Sequence, residues 1–155
     1  MIRFPLRSAR FSLAGSTSGV LAVLFLVVGC ESSIEPTLTT WEGNLAPVFP
    51  STVAGQVAAV SQFGRTQASI QIMEADPEVT YGWRINSGTC EQEGLIRGGV
   101  AAYEPLYPGD LGSDEASAVL GVVFRDGETL AARVYRPDGD SGETVVACGE
   151  LEQTR

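Results

Sequence analysis

The sequence predicts an all-β fold, a single antiparallel β-sandwich that occupies residues 41–151. The first observation is alternation: Val79, Tyr81, Trp83 and Ile85 are large and apolar, and the residues between them are small or polar, which is typical of a half-buried strand. The second is that short segments of this kind recur between Gly and Pro residues. The third is that no stretch beyond the first thirty residues keeps a 3.6-residue period long enough to predict a helix.

The individual strands follow from this alternation and from the breaks between segments. Gly64 is expected to join the second and third strands as a hairpin. Trp83 of the fourth strand is predicted to face the core and Arg84 to face away from it. Between residues 90 and 117, many Gly and Pro residues predict a long irregular segment with a short extended piece at 100–103. The predicted strands are 41–48, 55–63, 65–74, 79–85, 118–124, 130–135 and 144–151.

The charge balance and the absence of histidine exclude several classes of function. The chain has ten Arg, no Lys and nineteen acidic residues, and three of the Arg lie in the first thirty residues, where there is no acid. The remaining seven Arg against nineteen acids would repel nucleic acid, so we expect no nucleic-acid partner. Because the chain contains no His, it lacks the commonest metal ligand and the commonest general base.

The first thirty residues have the pattern of an export signal. Basic residues precede an apolar run at 20–28, which is too short to span about 30 Å of hydrocarbon as a helix. The run ends in Val27-Val28-Gly29-Cys30, which resembles the bacterial lipobox. That resemblance implies a signal peptide at 1–29, a lipid on the sulfur of Cys30 and an anchor in a membrane of the bacterial envelope, the outer membrane more than the inner. The alternative is an ordinary signal peptide with an unrelated cysteine.

The rest of the domain organisation follows from that anchor. Residues 30–40 are rich in Ser, Thr, Glu and Pro, which favours a flexible tether, and 152–155 are expected to form a short tail. If Cys30 carries lipid, Cys90 and Cys148 remain as an even pair in an exported, oxidising setting. A pair in that setting is interpreted first as a disulfide.

Two fragments resemble the copper/zinc superoxide dismutase sandwich. They are Gly82 to Cys90 and Val146 to Leu151, which contain a Cys after the strand that carries H-x-H in that family and the Cys of a closing A-C-G strand. With Gly55-Gln56-Val57, the closing pattern is also similar to the CHRD domain. The resemblance implies an immunoglobulin-like or superoxide dismutase-like Greek-key sandwich with a Cys90–Cys148 disulfide.

The same resemblance implies that the metal site of that family is lost in this chain. Arg84 and Asn86 stand at the H-x-H positions, and Arg136 lies near the next expected histidine. Arginine offers only donors and a positive charge, and an amide oxygen is a weak ligand. We therefore expect no metal, no cofactor and no catalysis, but a lipid-anchored envelope protein that serves in binding or envelope structure. The alternative is a superoxide dismutase-family enzyme or metal-handling protein with atypical ligands.

Three further features each allow two interpretations. The acidic segment 138–143 is either a calcium loop or an ordinary turn. Tyr103, Pro105 and Tyr107 form either an exposed patch for a protein or carbohydrate partner, or aromatic cover for the core. Arg84 either forms a buried ion pair or points to solvent.

Overall fold

Among the residues that the structure describes, regular secondary structure is almost entirely β-strand. A computed structural model describes residues 38–138 and 142–154. Within those ranges the helical residues are a three-residue 3-10 turn, Val100–Ala102, and no helix there has the length and apolarity to cross a membrane. The strands are β1 Thr39–Pro47, β2 Ala54–Gln62, β3 Arg65–Met73, β4 Gly82–Gly88, β5 Glu93–Ile96, β6 Asp114–Leu120, β7 Leu130–Pro137 and β8 Glu143–Thr154.

The eight strands form one antiparallel sheet in the order β5-β4-β7-β8-β1-β2-β3-β6. The pairing of β1 with β8 joins the two halves, and the sheet curls around its core as a half-barrel. β3 pairs with β6 and β4 pairs with β7, although neither pair is consecutive in sequence. The chain therefore crosses between the two halves after β3, after β5 and after β6, as in Greek-key arrangements. The predicted all-β antiparallel fold is confirmed, and its two sandwiched layers belong to one continuous sheet.

The core lies between the two halves of the curled sheet. Strand β3 shows the underlying pattern most clearly, because every second residue from Thr66 to Ile72 is buried and the others are exposed. Two aromatic pairs fill the centre in edge-to-face contact: Trp41 with Phe124 at 5.5 Å between ring centroids, and Trp83 with Tyr103 at 4.9 Å. The prediction that Trp83 faces the core is confirmed, since it is 1% exposed.

Several element boundaries differ from the predicted ones. β4 begins at Gly82 and not at Val79, because Tyr81 makes only an isolated bridge to Leu106. β6 starts at Asp114 and stops at Leu120, so the predicted strand 118–124 is shifted. The extended piece predicted at 100–103 is wrong, because Val100–Ala102 forms the 3-10 turn.

Two strand segments were not predicted at all. β5 lies inside the stretch expected to be irregular and pairs with the end of β4. β8 continues to Thr154, where the sequence suggested a tail from residue 152, because its last residues pair with β1 and Thr40 and Thr154 hydrogen bond through their hydroxyls at 2.7 Å.

Glycine is required where β1 passes β8. The two strands pair at both ends of their contact and have no ladder pairs in between, around Asn44 and Gly149. A Cβ atom on Gly149 would lie 2.2 Å from the carbonyl oxygen of Asn44, and one on Gly43 would lie 2.5 Å from the carbonyl oxygen of Glu150. Both distances are shorter than any normal contact, so the glycine of the A-C-G segment sets how closely the two halves of the sheet approach.

We expect Gly149→Ala to lower the free energy of unfolding by about 1–3 kcal/mol, the usual cost of forcing extra atoms into a packed region. The added methyl group meets backbone, which cannot rotate away. Gly121→Ala is the control, because its new Cβ would have no neighbour within 4 Å. Denaturant unfolding of both variants tests this, and equal midpoints for the two would contradict the close approach.

Candidate functional site

The candidate site is the outward face of β4, β7 and β8, opposite the core. The strand register places Arg84 across from Arg133, and Arg133 across from Cys148, so that three side chains form a row over three strands. Asn86 lies on the same face, two residues along β4 from Arg84. Although the face points away from the core, Asn86 is fully buried and Arg133 is 2% exposed.

A short segment, residues 89–94, covers this face, and we call it the covering segment. The disulfide between Cys90 and Cys148 fixes it covalently to β8, with an S–S distance of 2.07 Å and a Cα–Cα distance of 5.9 Å. The backbone N–H of Cys90 also donates to Glu150 Oε1 at 3.3 Å, and Arg133 Nη2 donates to the carbonyl oxygen of Thr89. The covering segment is therefore held by one covalent bond and by hydrogen bonds from the face beneath it.

Glu93 supplies the main acceptor of the covering segment. Its Oε1 atom accepts hydrogen bonds from Asn86 Nδ2 at 3.1 Å and from the Tyr135 hydroxyl at 3.0 Å. Asn86 Nδ2 also lies 3.3 Å from the carbonyl oxygen of Gly94. A single carboxylate thus joins β4, β7 and the covering segment.

Arg84 forms an ion pair and is not a free cation. Its guanidinium pairs with Glu143 of β8 and lies over the Tyr135 ring, 4.5 Å from the ring centroid. The Arg84 side chain is 19% exposed and that of Glu143 is 44% exposed. Of the two sequence interpretations, the structure supports the ion pair, at the edge of the face and in partial contact with solvent.

Tyr135 remains a neutral phenol throughout the physiological pH range. Burial, together with the hydrogen bond that Tyr135 donates to the Glu93 carboxylate, raises the pKa of Tyr135 to about 12. A guanidinium does not lose its proton in proteins either. The side chains of Arg84, Arg133 and Tyr135 therefore provide donors and fixed charge, but no proton acceptor suited to acid–base chemistry near pH 7.

The structure brings together some of the predicted site residues and not others. Cys90 and Cys148 are bonded, as predicted. Arg84 and Asn86 share one face. Arg136 is exposed, pairs with Thr144 beyond the first residue of β4, and does not reach them. Cys30 lies outside the described residues.

Sequence reasoning missed Arg133, Tyr135 and Glu93. The signal for Arg133 was its position inside an otherwise apolar run, residues 130–135, all of which are buried. A strand with apolar or buried residues on both faces must be covered on both, so Arg133 pointed to a second covered surface. The role of Glu93 was not visible in the sequence, because Tyr135 lies 42 residues away and Asn86 meets Glu93 only through the pairing of β4 with β5, which was not predicted.

The segment that contains Tyr103, Pro105 and Tyr107 is partly core cover and partly exposed surface. Tyr103 is buried against Trp83, and burial raises the pKa of Tyr103 to about 12. Tyr107 is 65% exposed. Core cover is therefore correct for Tyr103, whereas Pro105 and Tyr107 reach the surface.

The acidic segment 138–143 is only partly described, since residues 139–141 lie outside the described ranges. Of its acids, Asp138 accepts a hydrogen bond from Thr144 and Glu143 pairs with Arg84. Within residues 38–138 and 142–154, no three His, Cys, Asp or Glu side chains gather closely enough to hold a metal ion.

A broad groove of about 1000 Å³ adjoins this face at Glu150 and lies on the outward side of β8, β1, β2, β3 and β6. Its acidic residues are Glu42, Glu104, Glu115, Glu150 and Glu152, and its other polar residues carry amides or hydroxyls. No Arg lines it among the described residues. This surface should repel anions and admit neutral or cationic groups.

Comparisons with known proteins do not add to this geometry. No protein-family model matches the chain, and no curated protein matches it. The resemblances to the lipobox and to the superoxide dismutase-like and CHRD-like sandwiches thus rest on the sequence fragments themselves.

We expect the stability of the protein to fall as the pH rises from about 10 to about 12. A phenol in the unfolded chain ionises near pH 10, whereas Tyr103 and Tyr135 hold their protons to about pH 12, so the folded state binds more protons in that interval. Below pH 10 the two phenols are protonated in both the folded and the unfolded state, so their contribution to stability is fully present. Unfolding midpoints measured across this range test the sign.

Between pH 10 and pH 12, the Tyr135→Phe variant should lose less stability than the wild type, because only Tyr103 would remain with a raised pKa. Tyr107→Phe is the matched control, since Tyr107 lies at the surface. A wild-type midpoint that rises between pH 10 and pH 12, or identical slopes for wild type and Tyr135→Phe, would contradict the burial of this phenol.

Proposed function

We propose that this protein is a non-catalytic, lipid-anchored envelope protein with a superoxide dismutase-like or CHRD-like fold, and that it serves in binding or envelope structure. The observation that carries the proposal is a pair of arginines, Arg84 and Arg133, which lie opposite each other in the register of β4 and β7 on the outward face. In the family that the sequence resembles, this stretch of β4 carries imidazole ligands to copper. Here the equivalent surface carries positive charge and hydrogen-bond donors.

The electrostatics of this face support the non-catalytic part of the proposal. A metal cation would be repelled by the two guanidinium groups, and neither can act as a ligand. The carboxylates that remain nearby are already engaged: Glu93 accepts from Asn86 and Tyr135, and Glu143 pairs with Arg84. The covering segment, which the disulfide fixes over the face, also separates Asn86 and Arg133 from solvent.

The acidic groove supports the binding part of the proposal. It is open, large enough for an extended segment of a partner, and rich in amide and hydroxyl groups that can exchange hydrogen bonds. A protein or carbohydrate surface without excess negative charge suits it. Nucleic acid does not, because its phosphates would meet the groove carboxylates.

The anchor part of the proposal comes from the sequence around Cys30. Lipid on that sulfur would tie the protein to a bacterial envelope membrane, which we propose to be the outer membrane rather than the inner. Because β1 begins at Thr39, the tether up to it reaches about 30 Å at most. The domain would therefore act close to the membrane surface.

We expect Cys30→Ser to abolish lipid labelling and to release the protein from the membrane fraction of a bacterial host, because serine offers no thioether attachment. Metabolic labelling with a fatty-acid analogue and membrane fractionation measure this. Cys90→Ala is the control, since it removes a cysteine of the domain and should leave labelling intact. A labelled, membrane-bound Cys30→Ser product would contradict the anchor.

We also expect the full chain to bind neither copper nor zinc stoichiometrically near neutral pH, because Arg84 and Asn86 occupy the imidazole positions. Equilibrium dialysis with each metal is the measurement. Superoxide turnover with added copper should equal that of the free metal. One tightly held copper or zinc per chain, or turnover above that level, would favour the alternative of an enzyme or metal-handling protein with atypical ligands.

A further inference from the structure

We propose that Asn86 and Arg133 share an internal binding site for one water molecule beneath the covering segment. Both side chains are almost completely removed from solvent, at 0% and 2% exposure. Yet Asn86 Oδ1 and Arg133 Nη1 are buried polar atoms with no hydrogen-bond partner among the residues that the structure describes. Buried polar atoms are nearly always paired, so two of them on one face call for a shared partner.

The register places the two residues next to each other on the outward face. Asn86 lies opposite Ala131, and Arg133 is two residues further along β7, which makes Asn86 and Arg133 diagonal neighbours on the outward face. Arg133 reaches the carbonyl oxygen of Thr89, just beyond the end of β4, so its side chain extends toward Asn86. Between them, Ala131 contributes only a methyl group.

The orientation of the Asn86 amide follows from its other contacts. Nδ2 donates to the Glu93 carboxylate at 3.1 Å and to the Gly94 carbonyl oxygen at 3.3 Å. A reversed amide would direct its oxygen at two acceptors, which is unfavourable, so the unpartnered atom is the acceptor Oδ1. The unpartnered atom of Arg133, in contrast, is a donor.

These two atoms select the chemistry of the ligand. It must accept a hydrogen bond from Arg133 Nη1 and donate one to Asn86 Oδ1. A halide cannot donate, and a metal cation cannot accept and would be repelled by the guanidinium. Water does both, and it is the smallest ligand that can, which suits a site beneath a disulfide-tied segment.

The direct test is a crystal structure of the full chain in detergent, with the Cys90–Cys148 bond intact and with bromide in the buffer. We expect one ordered peak within about 2.7–3.2 Å of both Asn86 Oδ1 and Arg133 Nη1, with no anomalous bromine signal. A bromine signal at that position would show an anion site instead. A direct Asn86–Arg133 hydrogen bond, or no peak, would also overturn the proposal.

A second test uses coupling between variants. Asn86→Leu and Arg133→Met should each lower the melting temperature, and the double variant should lower it by less than the two shifts together, because a shared ligand is lost only once. Ser87→Ala is the control: its hydroxyl holds Leu95 of β5 but touches neither unpartnered atom, so its shift should add to that of Arg133→Met. Full additivity for Asn86→Leu with Arg133→Met would overturn the shared site.

Discussion

The burial of Arg133 beneath a covalently fixed segment is the constraint on which the rest of this half of the molecule depends. A guanidinium removed from water is costly unless its donors are paired, and here one of them bonds the carbonyl oxygen of Thr89 in the covering segment. The disulfide keeps that acceptor in place. It closes a loop across a sequence separation of 58, for which the chain-entropy model gives about 4 kcal/mol. That is a large share of the 5–15 kcal/mol that typically separates folded from unfolded domains.

Strands β4 and β7 are consequently packed on both sides. Their inward side chains, such as Trp83 and Val134, belong to the apolar core. Their outward side chains belong to a polar network in which Glu93 accepts from Asn86 and Tyr135. Because hydrogen bonds are directional, such a network fixes the position of the covering segment more narrowly than apolar packing alone would. Under the proposed function, this face is a structural element, and binding belongs to the acidic groove on the other strands.

Much of the fold could be predicted from local pattern, and the candidate site could not. Alternation predicted most strands and the inward direction of Trp83. β5 was not predicted because its four residues show no apolar–polar alternation, and Leu95 within it is 83% exposed. The cover over Arg133 was not predicted because its contact with Arg133, at Thr89, lies 44 residues away along the chain, and local periodicity carries no information about such distant contacts. Even so, an arginine inside a fully buried run already required a partner from elsewhere in the chain.

Chemical modification of arginine tests the account most directly. A dicarbonyl reagent that reacts with accessible guanidinium groups, followed by peptide mapping, compares Arg133 with its exposed neighbour Arg136 in the same strand. We predict that in the oxidised protein Arg136 reacts and Arg133 is protected, and that reduction of the Cys90–Cys148 bond makes Arg133 reactive. Equal reaction of both residues in the oxidised protein, or protection of Arg133 that survives reduction, would contradict the claim that the disulfide-tied segment buries this cation.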